Sequence, residues 1–296
     1  MSPPGDGARS LDGDQLLDEG RPLDETFVVV CGMPRSGTRQ FTDFLNRHPA
    51  ICIQGEIRHS LIRSVRDLMV SADVAYPTGY AAKFYSKKRA KAVVELFASF
   101  SKVRRVTKPK AKIQGFKTPH GEHYHRMMKD IVGESFVHTS YFYCIRNIAD
   151  CYLSLIEMPW FLDGPNRYID NYITSLGNAL ILQKLAESGD ARVSIGILNL
   201  DDFIRSDTKP AWVSARLFAS LPVDASADWI EDIVGSTSNR NATERATGKR
   251  RAKHLEGPAA EVFERRLPEI EAAVAQFNLA FRENLSCKLP LAELVA

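Results

Sequence analysis

Phe27-Val28-Val29-Val30-Cys31-Gly32-Met33-Pro34-Arg35-Ser36-Gly37-Thr38-Arg39 is the stretch that decides how this chain folds. Its β-branched start predicts a buried strand, and the turn after it is rich in Gly, Pro and Ser. Phe41, Phe44 and Leu45 then fall at helical spacing. Strand, tight turn and helix N-terminus together make an anion site. The turn's N–H groups converge, and the helix dipole adds partial positive charge where a phosphate or sulfate would sit. Gly32 and Gly37 keep the Gly-x4-Gly spacing of a nucleotide phosphate loop, but Thr38-Arg39 stand where such a loop carries Lys and then Ser or Thr. A Gly-rich turn can be a plain connection. With Arg35, Ser36 and Thr38 inside it, this one is suited to an anionic nucleotide without the usual Lys and Mg²⁺ apparatus.

The chain has 296 residues, 44% of them hydrophobic and 25% charged, which suits one large α/β domain with a substantial core. A net charge of +3 fits an anionic small molecule and falls short of a dedicated nucleic-acid binder. Cys31, Cys52, Cys144, Cys151 and Cys287 form no Cys-x-x-Cys pair and read as free thiols of a reducing compartment. No apolar run approaches the ~20 residues needed to span a bilayer, so the expectation is a cytoplasmic protein without stable membrane insertion. A homodimer stays open.

Residues 1–24, rich in Asp, Gly and Pro, read as a flexible leader, and 25–296 as a single domain of alternating strands and helices around a mostly parallel sheet. Further strands are expected at Ile51–Ile53, Ile113–Lys117, Tyr141–Ile145 and Val193–Leu198. Helices are expected near 57–72, 147–157, 168–187, 210–220 and 258–275, with a Lys/Arg-rich, partly helical stretch at 83–112. The segments 73–112 and 235–257 read as long loops or lids. The basic run Lys102–Lys112 is either a solvated connection or a field that steers an acidic substrate.

A second strand–helix junction carries Arg146 at the C-terminal end of an aromatic, β-branched strand, where open α/β sheets bind ligands. Ser154 follows two helical turns on and could share an anion with it. Alone, Arg146 reads equally as a salt-bridge partner. With the first loop, it suggests a nucleotide bearing phosphates at two ends.

Gly32-Met33-Pro34-Arg35-Ser36-Gly37-Thr38, with His48-Pro49 after the helix, resembles the 5′-phosphosulfate loop of PAPS-dependent sulfotransferases. Arg146-x7-Ser154 resembles that family's 3′-phosphate site. Lys117-Thr118-Pro119 is similar to an element of many bacterial and glycan sulfotransferases, and Gly55-Glu56-Ile57-Arg58 to one of tyrosylprotein sulfotransferases. The four elements keep their order over about residues 26–160, whereas the C-terminal half matches only loosely.

The resemblance implies a P-loop-type three-layer α/β fold with a helical or loop lid. It also implies PAPS as donor, PAP as product, no metal, and a small-molecule, glycan or lipid acceptor with a hydroxyl or amine. It places Arg35, Ser36, Gly37, Thr38, Arg39, Arg146 and Ser154 at the nucleotide, joined by Lys249 and Arg250 from a late basic loop. Arg35 and Lys117 fall among the catalytic candidates, and Glu56 takes the part of general base. Arg39 and Gln40 depart from the family, which often has Thr and an apolar or aromatic residue there.

Sulfuryl transfer needs mainly positioning and charge stabilisation at the leaving oxygen, which the loop's amides, Thr38 and Arg35 can supply. For Glu56 the plain alternative is a salt bridge with Arg58. The rival base is His120, in the cluster His120-Gly121-Glu122-His123-Tyr124-His125, whose spacing fits no established metal motif. The aromatic residues Tyr76, Tyr80, Phe84, Tyr85, Trp160, Phe161 and Tyr168 either line an acceptor pocket or fill the core. A kinase-like phosphotransferase would need an Asp for Mg²⁺, with Asp201 and Asp202 the nearest candidates. A non-catalytic nucleotide-binding module is the third reading.

Overall fold

The run Val28–Cys31 is wholly buried, and its side chains alternate between two separate cores. Phe27, Val29 and Cys31 face one layer, and Val28 and Val30 face the other. A strand covered on both sides reads as continuous apolar sequence. That strand, β1 (Leu23–Gly32), is the centre of a five-stranded sheet in the computed structural model. The structure describes residues 23–75, 80–101, 108, 111–133, 135–188, 192–237 and 252–291.

The other strands are β2 (Ile51–Glu56), β3 (Ile113–Lys117), β4 (Phe136–Ile145) and β5 (Val193–Asn199). Their order is β2-β3-β1-β4-β5 and every pairing is parallel. The chain moves to one side of β1 for β2 and β3, then crosses to the other for β4 and β5. The carboxyl edge beside β1 is therefore a topological switch point, where such sheets bind ligands.

One face carries α1 (Thr38–Leu45), α7 (Leu200–Arg205), α8 (Lys209–Val213), the π-turn Ser214–Phe218 and α9 (Ala227–Ser236). Phe41 packs on Phe203 and Trp212, with centroids 5.8 and 5.5 Å away. The other face carries α2 (His59–Ala75), α3 (Tyr80–Phe100), α4 (His125–Val132), α6 (Pro165–Glu187), α10 (Gly257–Arg265) and α11 (Leu267–Phe281). α5 (Ile148–Leu155) also packs into this second core.

Several expected boundaries move. β2 runs on to Glu56, and residues 80–100 form a helix, in keeping with the partly helical reading of 83–112 and against a long loop there. α3 is tied down by Arg89, whose buried guanidinium pairs with Asp73 of α2 and donates to Ser135 Oγ at 2.8 Å. The helix expected near 258–275 is two helices broken at Arg266, where Pro268 starts a new helical segment. Of the basic run, Lys108 does not face a polyanion. Its ammonium donates to the carbonyls of Asn46, His48 and Ile51, closing the C-terminal turn of α1. Residues 1–22, 76–79 and most of 102–110 lie outside the described residues, as does 238–251 with Lys249 and Arg250.

Candidate active site

The turn after β1 has its shape fixed by what it packs on. Gly32 has φ +113°, and a Cβ there would lie 2.1 Å from the Cys144 carbonyl oxygen of β4, so only glycine fits. Gly37 caps α1 at φ +94°. Between them Ser36 is buried: its hydroxyl donates to Met33 O at 2.6 Å and its N–H to the same oxygen at 3.3 Å. Ser36 thus closes the turn. The Phe41 N–H is the one that reaches back to Gly37 O. The N–H groups ahead of it have no earlier helical carbonyl to use, which is the anion-binding property of a helix start.

Arg35 stands in the left-handed region at φ 71°, a strained choice for a non-glycine residue. Its Nε donates to Ser154 Oγ of α5 at 2.8 Å. The two loops expected to hold opposite ends of a nucleotide are therefore bridged by Arg35 itself. Burial, and then the like charge of Arg146, lowers the Arg35 pKa below its ordinary value. An anion between these guanidiniums would relieve that repulsion. Arg146 pairs with Asp201 at 3.2 Å and Asp150 at 3.8 Å. Asp201 also accepts the Asn147 N–H at 2.8 Å, and is thus occupied as a partner of this junction. Asn147 caps α5 and donates to Ser286 O and Lys288 O, fastening the late chain to the site.

Glu56 and Lys117 are brought together by the sheet. The β2–β3 register slips between Gln54 and Glu56, so that Glu56, not Gly55, stands opposite Lys117. Such a bulge re-aims a side chain. Lys117 Nζ donates to Glu56 Oε1 at 2.5 Å. The ammonium is almost completely buried, whereas the carboxylate is 37% exposed on the cleft wall. Burial lowers the Lys117 pKa, Glu56 raises it, and the nearby charge of Arg39 lowers it again. Arg39 is not among the described residues that line the cleft.

A cleft of about 610 Å³ joins Arg35 and Thr38 to Glu56 and Lys117. Its wall also holds Arg58, His59 and the exposed indole of Trp160. His59 was not legible as a site residue: it starts α2 three positions after Glu56, and only the folded chain brings it into the cleft. Its Nε2 lies 2.8 Å from Pro119 O, a contact that needs the proton on Nε2 and leaves Nδ1 as the basic nitrogen of the neutral ring. His120 does not line this cleft among the described residues, and its burial beside His123 and His59 lowers its pKa to about 4. His48 is structural: Nδ1 accepts the Ala50 N–H and Nε2 donates to Asp224 O. Phe161 and Tyr168 pack in the core.

No protein-family model matches the chain, and no curated protein matches it. Among solved structures it is similar to the sulfotransferase domain of the Synechococcus PCC 7002 olefin synthase. That match has 15% identity and a TM-score of 0.46, covering 91% of this chain and 98% of that one. It is also similar to mouse sulfotransferase SULT7A1 complexed with PAP, at 13% identity and a TM-score of 0.41, covering 88% of this chain and 86% of that one.

Proposed function

We propose that this protein is a sulfotransferase that moves the sulfuryl group of PAPS to a hydroxyl or amine of an acceptor bound in the cleft. The observation that carries this reading is the Glu56–Lys117 pair, set by a sheet bulge on the same cleft wall as Arg35 and Thr38. A carboxylate able to take a proton and a cation able to meet negative charge thus stand beside an anion-binding turn.

In this reading the helix start, Thr38 and Arg35 hold the 5′ end of the donor, and Arg146 with Ser154 meets its 3′-phosphate. The S–O bond to the donor phosphate breaks as a bond from sulfur to the acceptor atom forms. Glu56 accepts the acceptor's proton. Lys117, Arg35 and the turn's amides stabilise charge on the leaving oxygen, where loss of one preorganised donor costs roughly 2.7–4 kcal/mol. Guanidiniums and backbone N–H groups perform the charge neutralisation that Mg²⁺ performs in a kinase. Asp201, already bound to Arg146 and the Asn147 N–H, disfavours the kinase reading. The exposed Trp160 ring gives the cleft an aromatic face for a sugar or aromatic acceptor.

Incubation with sulfur-labelled PAPS and a panel of phenols, glycans, lipids and amines is the test. Labelled product from at least one class, formed without added Mg²⁺, supports the reading. No transfer to any class, together with phosphoryl transfer from ATP, overturns it.

A further inference from the structure

The cluster His120-Gly121-Glu122-His123 is left unused by this chemistry. It folds as a single 3-10 turn, Gly121–Tyr124, entered through His120 in the left-handed region at φ 58°. The His123 N–H donates to His120 O at 3.2 Å. Residues three apart eclipse in a 3-10 turn. The two imidazoles consequently lie on one face, with centroids 5.2 Å apart.

Both rings turn a buried nitrogen toward Glu122. His120 Nδ1 is 3.9 Å and His123 Nε2 3.5 Å from Glu122 Oε1, and neither nitrogen has a hydrogen-bond partner. The carboxylate itself is wholly buried and held from behind. Its Oε2 accepts the Gly32 N–H at 2.9 Å, and its Oε1 accepts the Ser175 hydroxyl at 2.5 Å. Ser175 is in turn bonded to Tyr143 at 2.8 Å. Two orphaned buried nitrogens facing a buried, oriented carboxylate are costly unless something binds between them.

One ligand atom from each residue lies within 4.8 Å of the others. Bonds of about 2.0–2.2 Å at tetrahedral angles separate ligand atoms by roughly 3.3–3.6 Å. The His123–Glu122 spacing already falls in that range, and His120 Nδ1, at 3.9 Å from the same oxygen, lies just outside it. Two imidazoles and one carboxylate form a ligand set that zinc accepts, with a fourth position left for water. Ser175 and the Gly32 N–H act as the outer partners that orient such a carboxylate.

We propose that His120, Glu122 and His123 bind one divalent transition-metal ion of the zinc type. These three residues do not line the nucleotide cleft among the described residues, and the ion reaches the turn after β1 only through Glu122. Through Glu122 and the Gly32 N–H it braces the turn from behind. The proposal is independent of sulfuryl transfer, because its readout is metal binding.

The full chain, stripped with a chelator and returned to metal-free buffer, is titrated with Zn²⁺ by calorimetry and with Co²⁺ by visible absorption. One equivalent should bind with micromolar or tighter affinity, and Co²⁺ should give the bands of a four- or five-coordinate ion. His123→Ala removes one of three ligands and should weaken Zn²⁺ by at least ~100-fold, the upper end of what loss of an outer partner costs. His254→Ala, an exposed histidine elsewhere, should leave it unchanged. Should His123→Ala fail to fold, X-ray absorption on the zinc-loaded wild-type chain decides. Two imidazoles and a carboxylate oxygen around the ion uphold the site, and any other ligand set overturns it. Failure to bind one equivalent, or equal binding by a folded His120→Ala/His123→Ala chain, also overturns it.

Discussion

Replacing Glu56 with Gln separates proton transfer from architecture. The side chain keeps its size, and its amide oxygen can still accept from Lys117 Nζ, now 2.5 Å from the carboxylate. What disappears is the negative charge and the capacity to take a proton. A general base contributes roughly 10²–10⁴-fold to rate, or about 2.7–5.5 kcal/mol of barrier. The effect on stability should be smaller. A hydrogen bond to a charged group contributes about 1.5–3 kcal/mol, but the amide retains part of it. Solvent also screens a carboxylate that is 37% exposed. The expected result is a kcat lower by ~10²–10⁴-fold, PAP affinity nearly unchanged, and a stability loss of about 1–3 kcal/mol, because the buried Lys117 ammonium loses its counter-charge. Labelled-PAPS turnover, PAP calorimetry and urea titration on one preparation measure all three. Near-normal turnover in Glu56→Gln, with loss of turnover in His59→Ala, would refute the assignment and make His59 the base. A joint collapse of PAP affinity and stability would make Glu56 a structural partner of Lys117.

Four other outcomes are expected. Arg146→Ala should weaken PAP by about 10- to 150-fold, the value of a charged hydrogen bond, but adenosine 5′-phosphosulfate far less, since that ligand lacks the 3′-phosphate; equal losses by calorimetry would make Arg146 structural. Gly32→Ala puts a Cβ 2.1 Å from the Cys144 carbonyl at φ +113°, and should lower unfolding stability by at least about 1–3 kcal/mol with loss of PAP binding. Lys108→Met removes the cation that closes α1 on three carbonyls, and should cost ~1.5–3 kcal/mol in urea unfolding while PAP affinity holds. The fourth concerns pH: burial lowers the folded-state pKa of Lys117 below its unfolded value, so between the two values the unfolded chain binds the extra proton and stability rises with pH. Glu56→Gln removes the group that raises Lys117, which extends this window to lower pH, and urea midpoints between about pH 8 and 10 should climb more steeply in the variant.

The parts of the fold that local chemistry dictates were readable before the structure. Val28–Cys31 could only be an interior strand, and the Gly32–Gly37 turn could only be tight. The strands at Ile113–Lys117 and Val193–Leu198 fall where their β-branched residues place them. Glu56 and Lys117 were each visible as candidates, but not as a pair, because the bulge that sets them opposite leaves no mark in composition. The 83–112 stretch was legible as partly helical but not its anchorage, because the Arg89 network that holds α3 needs Asp73 and Ser135, each more than a dozen residues away. Ser36 was legible as part of the anion loop, but not that its hydroxyl closes the turn on Met33 O. His59 and the Asp201–Arg146 pair depend on long-range packing that no spacing rule reports. That the His120 and His123 rings lie side by side comes from a 3-10 turn, whose period of three no linear motif reports.

The central claim is that cationic side chains and a helix start, not Mg²⁺, hold a nucleotide phosphorylated at both ends. Calorimetry of the full, zinc-supplemented chain with PAP, ATP and GTP in buffer without Mg²⁺ tests it directly. One PAP should bind per chain at micromolar affinity, more tightly than either triphosphate. Tighter binding of ATP, or PAP binding that appears only when Mg²⁺ is added, would contradict it.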